Sequence, residues 1–255
     1  MRPAETLLVE LGVTRPEDID VDAIAYCVGA EIYYRDLLGC EAEIIGRRDR
    51  AIIHVQKDAR PRRKRFSAGH ELGHWHHHKG QSFICRPEDI SFKIDENSRN
   101  AERLADSYSA DLLLPPFLFG PKIESEARIT LGLLREVSDA FDASLTSTAI
   151  RAMRMTKQPL ILIGHDLAGR RWQWPSITAT NLRIRDDIDV RSSAFTVVSS
   201  SKPVVTPLRK EPANYWFDRR HIEQFDVQVE SIRTHDGEAL TLLRIPDGKL
   251  IDIYG

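Results

Sequence analysis

His70-Glu71-Leu72-Gly73-His74 is the stretch on which the reading of this chain turns. Histidines at i and i+4 share one face of an α-helix, about 6 Å apart along its axis. At that spacing both imidazoles reach one metal ion, and Glu71 stands beside them as a base for a metal-bound water. Three protein ligands would leave the fourth tetrahedral position to that water.

The third ligand must come from elsewhere. An extended metzincin pattern asks for glycine at position 77 and histidine at position 80, but the chain has His77 and Gly80. Glu102 fits better. It falls on the next helix in the pattern, one turn before Asp106, and an aspartate so placed can orient a ligand histidine through its second ring nitrogen. That helix is predicted over about 98–114 from the apolar series Ala101, Leu104, Ala105, Tyr108 and Leu112, and Pro115-Pro116 ends it. Ser67 reads as the N-cap of the motif helix and Gly80 as its stop.

Further out, residues 4–12 and 21–29 read as short helices, and 31–34, 42–45 and 51–55 as strands. Strand 51–55 is a candidate edge on which an extended peptide could be held. Residues 129–141 and 145–155 read as two helices meeting at Ala143-Ser144. From Pro159 the pattern becomes strand-like, at 160–163, 170–174, 239–243 and 250–253, the last two flanking the turn Pro246-Asp247-Gly248. The fold class is α+β. A domain over 1–157 holds a small sheet, the HExxH helix and a helical pair at about 129–155, and a β-rich domain follows over 158–255.

The run Arg65-Phe66-Ser67-Ala68-Gly69-His70-Glu71-Leu72-Gly73-His74, with Glu102 ten residues before Leu112-Leu113-Leu114-Pro115, resembles the ImmA/IrrE metallo-endopeptidases. These are bacterial gluzincin-like proteases that cleave helix-turn-helix repressors. The resemblance covers roughly residues 20–156 and is strongest at the two helices. Asp106 stands where the family has asparagine, and Ser67 where it has threonine. The resemblance implies a zincin-like N-terminal domain with His70, His74 and Glu102 as metal ligands and Glu71 as catalytic carboxylate. It implies Zn2+, or another divalent ion such as Mn2+, and a helix-turn-helix repressor as substrate, whose cleavage relieves repression. It also likens the pair at 129–155 to a helix-turn-helix subdomain.

Other residues have lesser parts. His78, four residues beyond His74, is a candidate for a supporting hydrogen bond to the ligands. His54 and Tyr108 are candidate donors to an oxyanion. Cys85 is read as a loop or packing residue. Trp172, Trp174 and Trp216 read as core aromatics.

With 255 residues and a net charge of -2, the chain can bury a sizeable core and has no wholesale basic surface for nucleic acid. Local basic groups remain at Arg60-Pro61-Arg62-Arg63-Lys64-Arg65 and at Arg151 and Arg154. Cys27, Cys40 and Cys85 form no CxxC pair, which points to reduced thiols. No apolar run approaches about 18 residues, so the expectation is a cytoplasmic protein without membrane contact. Two other readings stand beside the endopeptidase. One is a DNA-binding or signal-sensing regulator with a structural metal site. The other is a metal-binding protein that only sequesters a repressor.

Overall fold

The computed structural model describes residues 1–85, 96–234 and 237–254, with side chains outside the description at 84, 85, 96–99 and 254. Two compact units emerge, one of Met1–Pro121 with Ser138–Ser144, the other of Lys122–Val137 with Leu145–Gly255.

The first unit begins with α1 (Pro3–Glu10) and α2 (Val21–Cys27), the latter capped by the Asp20 side chain accepting from Asp22 N and Ala23 N. Strands β1 (Ala30–Arg35), β2 (Ala42–Arg47) and β3 (Arg50–Gln56) follow, then the motif helix α3 (Pro61–His77), β4 (Phe83–Cys85), α4 (Glu96–Leu113) and α5 (Pro116–Glu124). The sheet order is β1-β3-β2-β4, with β1 parallel to β3 and the other pairs antiparallel. Alternate residues Ala42, Ile44, Ala51, Ile53 and Val55 are buried on one face. Phe83 pairs with Ile44 on that face and stacks on His74, so α3 covers it. β3 therefore lies inside the sheet. The expectation that 51–55 forms an edge is corrected, because β1 pairs with its other side; among the described residues β1 and β4 are the outer strands.

The motif helix also starts earlier than expected. Pro61 occupies its first turn, where a fixed φ and a missing N–H cost nothing. Ser67 is not its N-cap but an interior residue, 1% exposed. A basic first turn opposes the helix dipole. Here acids offset it: Arg62 bonds Asp139 at 2.6 Å and Asp142 at 3.2 Å, Arg63 bonds Glu41 at 2.5 Å, and Arg65 lies 3.5 Å from Asp142.

α3 and α4 pack unusually close. A Cβ on Gly73 would meet Ala105 Cα at 2.6 Å, and one on Gly69 would meet Ser109 Oγ at 2.7 Å. Ser109 Oγ donates to the Phe66 carbonyl at 2.9 Å across the same seam. Two glycines inside a helix cost about 1 kcal/mol each in propensity. The approach they permit is the compensating gain.

After α6 (Leu131–Ala140) and α7 (Leu145–Met155) come β5 (Leu160–Asp166), β6 (Gly169–Pro175), α8 (Ser193–Ser199), β7 (Val205–Pro212), β8 (Asp226–Arg233), β9 (Ala239–Arg244) and α9 (Gly248–Tyr254). In the second unit the five strands form an antiparallel sheet in the order β6-β5-β9-β8-β7. Its core joins Ile161, Ile163, Val229 and Leu243 to Val197 of α8, with Trp216 and Leu250. α7 rests on β5 and β6. The segment 250–253 is helical rather than a strand. Asp247 accepts from Lys249 N at 3.0 Å and so caps a helix that sends Leu250 into the core. Among the described residues, no helix is long and apolar enough to cross a membrane.

Candidate metal centre

The seam between α3 and α4 sets the site. Gly69 and Gly73 let α4 approach until Glu102 reaches both motif histidines. His70 and His74 are fully buried. Their Nε2 atoms lie 3.1 Å apart, with the rings edge-on. Glu102 brings Oε2 to 3.0 Å from His70 Nε2 and Oε1 to 3.3 Å from His74 Nε2. The donor atoms of His70, His74 and Glu102 all lie within 4.8 Å of one another.

Second contacts fix the ligand orientation. His70 Nδ1 lies 2.9 Å from Asp106 Oδ1, so the ring proton goes to Nδ1 and the Nε2 lone pair points inward. Phe83 of β4 stacks on His74, with centroids 4.3 Å apart. The electrostatics follow from this crowding. Burial works against protonating His70, but hydrogen bonds to Asp106 and Glu102 outweigh it and raise the imidazole to about 9. Burial holds His74 below its ordinary value, with Glu102 pulling the other way. Burial pushes Glu102 up, and the two imidazoles more than reverse this, bringing it to about 2. The pocket thus favours positive charge among these three groups.

The donor set suits zinc. Tetrahedral bonds of about 2.0–2.1 Å place neighbouring ligand atoms about 3.3 Å apart. Here His70 Nε2 and His74 Nε2 lie 3.1 Å apart and each meets a different Glu102 oxygen, at 3.0 and 3.3 Å; with one donor atom per residue the three lie within 4.8 Å. Glu71, on the turn that carries His70, is wholly buried, and its charge acts on His70 and on Cys40.

The family model of the IrrE N-terminal-like domain, a peptidase family, matches residues 29–153. Over those residues the chain is similar to the ImmA/IrrE family. Among solved structures, a Mycobacterium tuberculosis transcriptional regulator is similar over 98% of this chain and 77% of that one, at 15% identity and a TM-score of 0.59. At that identity the likeness shows a common fold. No curated protein sequence matches significantly.

In this IrrE-type domain the remaining candidates lie outside the ligand cluster. His78 caps the C-terminus of α3, its N–H donating to the His74 carbonyl at 2.8 Å. Its ring packs 5.9 Å from that of His74 and 5.2 Å from Phe83, and its Nδ1 has no hydrogen-bond partner among the described residues. What it gives His74 is a ring contact. His54 needs correction as an oxyanion donor. It pairs in register with Glu43, on the sheet face opposite Phe83, and its Nδ1 lies 2.8 Å from Glu43 Oε1. Tyr108 is buried against Gly73 and stacks on His76 at 5.1 Å, and burial raises its hydroxyl to about 12, so it stays protonated. The backbone of Cys85 ends β4, and its side chain lies outside the described residues.

The basic groups are engaged within the chain. Besides the ion pairs of α3, Lys64 lies over the Tyr34 ring at 5.7 Å. On α7, Arg151 is buried and Arg154 stacks on Trp174 at 5.0 Å. The residues that the motif alone did not reveal are Gly69, Gly73 and Ser109. Their signal was a pair of glycines four apart within a helical pattern, which a close helix contact explains.

Proposed function

We propose that this protein is a zinc-dependent endopeptidase that cleaves a helix-turn-helix transcriptional repressor and so relieves repression. The observation that carries this is the convergence of His70, His74 and Glu102 beside the buried carboxylate of Glu71. A zinc ion held by His70, His74 and Glu102 would supply Lewis acidity to the scissile carbonyl and to a water. Glu71 accepts the water's proton and returns it to the leaving amine. Asp106 holds His70 in the tautomer that keeps Nε2 directed inward. Among the described residues β4 is an outer strand, and Phe83 links it to His74, so an extended peptide added beside β4 would pass the ligands. A repressor substrate places the reaction in the cytoplasm.

The test begins with metal content. Purified protein should hold about one divalent ion per chain, as an open three-ligand site does. Incubation with the product of a neighbouring repressor gene should yield two fragments whose masses give the cleaved bond. Glu71→Gln should keep the metal and lose cleavage by about 10²- to 10⁴-fold. Wild-type protein that takes up no divalent metal would sink the reading.

A regulator with a structural metal is the second reading. The name of the Mycobacterium tuberculosis neighbour supports it. It predicts a DNA gel shift that weakens steeply with salt. The burial of Arg151 and the stacking of Arg154 weigh against DNA contact through α7.

A further inference from the structure

The loop of residues 36–41 joins β1 to β2 and, among the described residues, is held by hydrogen bonds and an ion pair at its ends. At the first end, Lys57 Nζ lies 2.7 Å from Asp36, and the Gln56 amide grips Leu37, donating to its carbonyl at 3.0 Å and accepting from its N–H at 3.4 Å. At the second end, the Glu41 carbonyl accepts from Gln56 N at 3.0 Å. Between these anchors, Leu38 is 100% exposed and Gly39 has φ 76°, so no apolar burial fixes the crest.

The carboxylate of Glu41 ties this loop to the motif helix. Its Oε2 accepts from Arg63 Nε at 2.5 Å and from Ser67 Oγ at 3.4 Å. Arg63, Ser67 and Glu71 stand at i, i+4 and i+8, along one face of α3. The clamp therefore closes one helical turn before the carboxylate assigned to proton transfer. The residue next to Glu41 is Cys40, a partly buried thiol. Burial raises it, and the charges of Glu43 and Glu71 raise it further. Arg63 and Glu41 keep only 35% and 23% of their side-chain surface, so the pair is partly shielded and charge-assisted.

We infer that Glu41 is a positioning residue of the peptidase site, locking the 36–41 loop onto α3 so that the loop walls the Glu71 carboxylate and limits its motion. The role in the reaction rests on the peptidase reading above; the clamp does not. Releasing the loop admits water beside Glu71 and broadens its orientation. That slows proton transfer while leaving the metal ligands and the binding of peptide elsewhere in place.

Two variants test this in zinc-loaded, full-length protein: Glu41→Gln, which keeps a partner for Ser67 but loses the charge pair, and Arg63→Gln, which opens the clamp from the helix side. Iodoacetamide labelling, resolved by peptide mass, compares Cys40 with Cys27, an exposed thiol that serves as internal reference. The Cys40-to-Cys27 rate ratio should rise about tenfold, the factor that loss of one charge-assisted hydrogen bond supplies. Zinc content should stay as in wild type. On a cleaved peptide, kcat should fall on the order of tenfold to a hundredfold with KM unchanged, as for a misplaced reacting group. An unchanged labelling ratio in both variants overturns the clamp, and a raised ratio with unchanged kcat overturns the positioning role. If the wild type cleaves nothing, the positioning role falls with the peptidase reading, while labelling and zinc content still decide the clamp.

Discussion

Glu102 and Glu211 are both acids held inside the protein, one in each unit, and their surroundings are opposite in kind. Glu211 is 3% exposed and ringed by donors: Ser193 N at 3.0 Å, Ser193 Oγ, and Trp216 Nε1 at 3.0 Å. Its lone pairs are met within the chain, as a buried carboxylate's must be. Glu102 faces two imidazole nitrogens that also face each other, 3.1 Å apart. Lone pairs aimed at lone pairs repel in a low-dielectric interior unless a cation or a proton lies among them. An acid encircled by donors props the fold. An acid that shares its pocket with other acceptors marks a place for a cation.

Removing the metal should break this contrast most visibly. A bound ion at 100 to 1,000 times its Kd contributes about 3–4 kcal/mol. Chelation should therefore speed amide exchange in α3 and α4 by the corresponding factor, with exchange in β5, β8 and β9 unchanged. Acceleration in those strands as well would show that the ion's effect is not confined to the α3–α4 cluster.

The second unit has its own sensitive group. Burial lowers His165 to about 4, with Arg170 pushing the same way and Asp166 opposing. The unfolded imidazole titrates near 6.5. Between those values the unfolded chain holds the extra proton, so the His165 contribution to stability is full above pH 6.5 and falls as pH drops toward 4. The loss should reach about 3 kcal/mol. Urea unfolding at several pH values, wild type against His165→Gln, should show a steeper fall in the wild type, the difference being the His165 contribution.

Gly73→Ala should cost about 1–3 kcal/mol through overpacking of the helix seam. It should also weaken zinc uptake, because Ala105 must retreat and Glu102 moves with it. Zinc affinity equal to that of the wild type would show that the seam does not set the ligand spacing. Smallest of all, Arg154→Ala should lose about 0.5–1 kcal/mol of stacking on Trp174, with DNA retention in a gel shift unaltered.

How legible this was depended on whether the deciding partner lay nearby in the chain. The ligand pair repeats every turn of one helix, and the stripe of α4 runs through Ala105 and Leu112, so both helices and Glu102 could be read from periodicity. The start of α3 could not. A first turn bearing Arg62, Arg63 and Arg65 looks wrong for a helix until Asp139 and Asp142 are seen against Arg62, 77 and 80 residues away in sequence. The interior place of β3 depends on its parallel pairing with β1, which no local pattern announces. Leu250-Ile251-Asp252-Ile253 is too short to separate a period of 2 from one of 3.6. The cap at Asp247 tips it to helix. His54 failed as an oxyanion donor for a simpler reason: alternation along a strand sends neighbours to opposite faces.

The seam at Gly69 and Gly73 is a ruler made of absent atoms. Such a ruler can only be lengthened, since every other amino acid adds bulk at those two places. Drift there has a single direction, and it carries the carboxylate of α4 away from the imidazoles of α3.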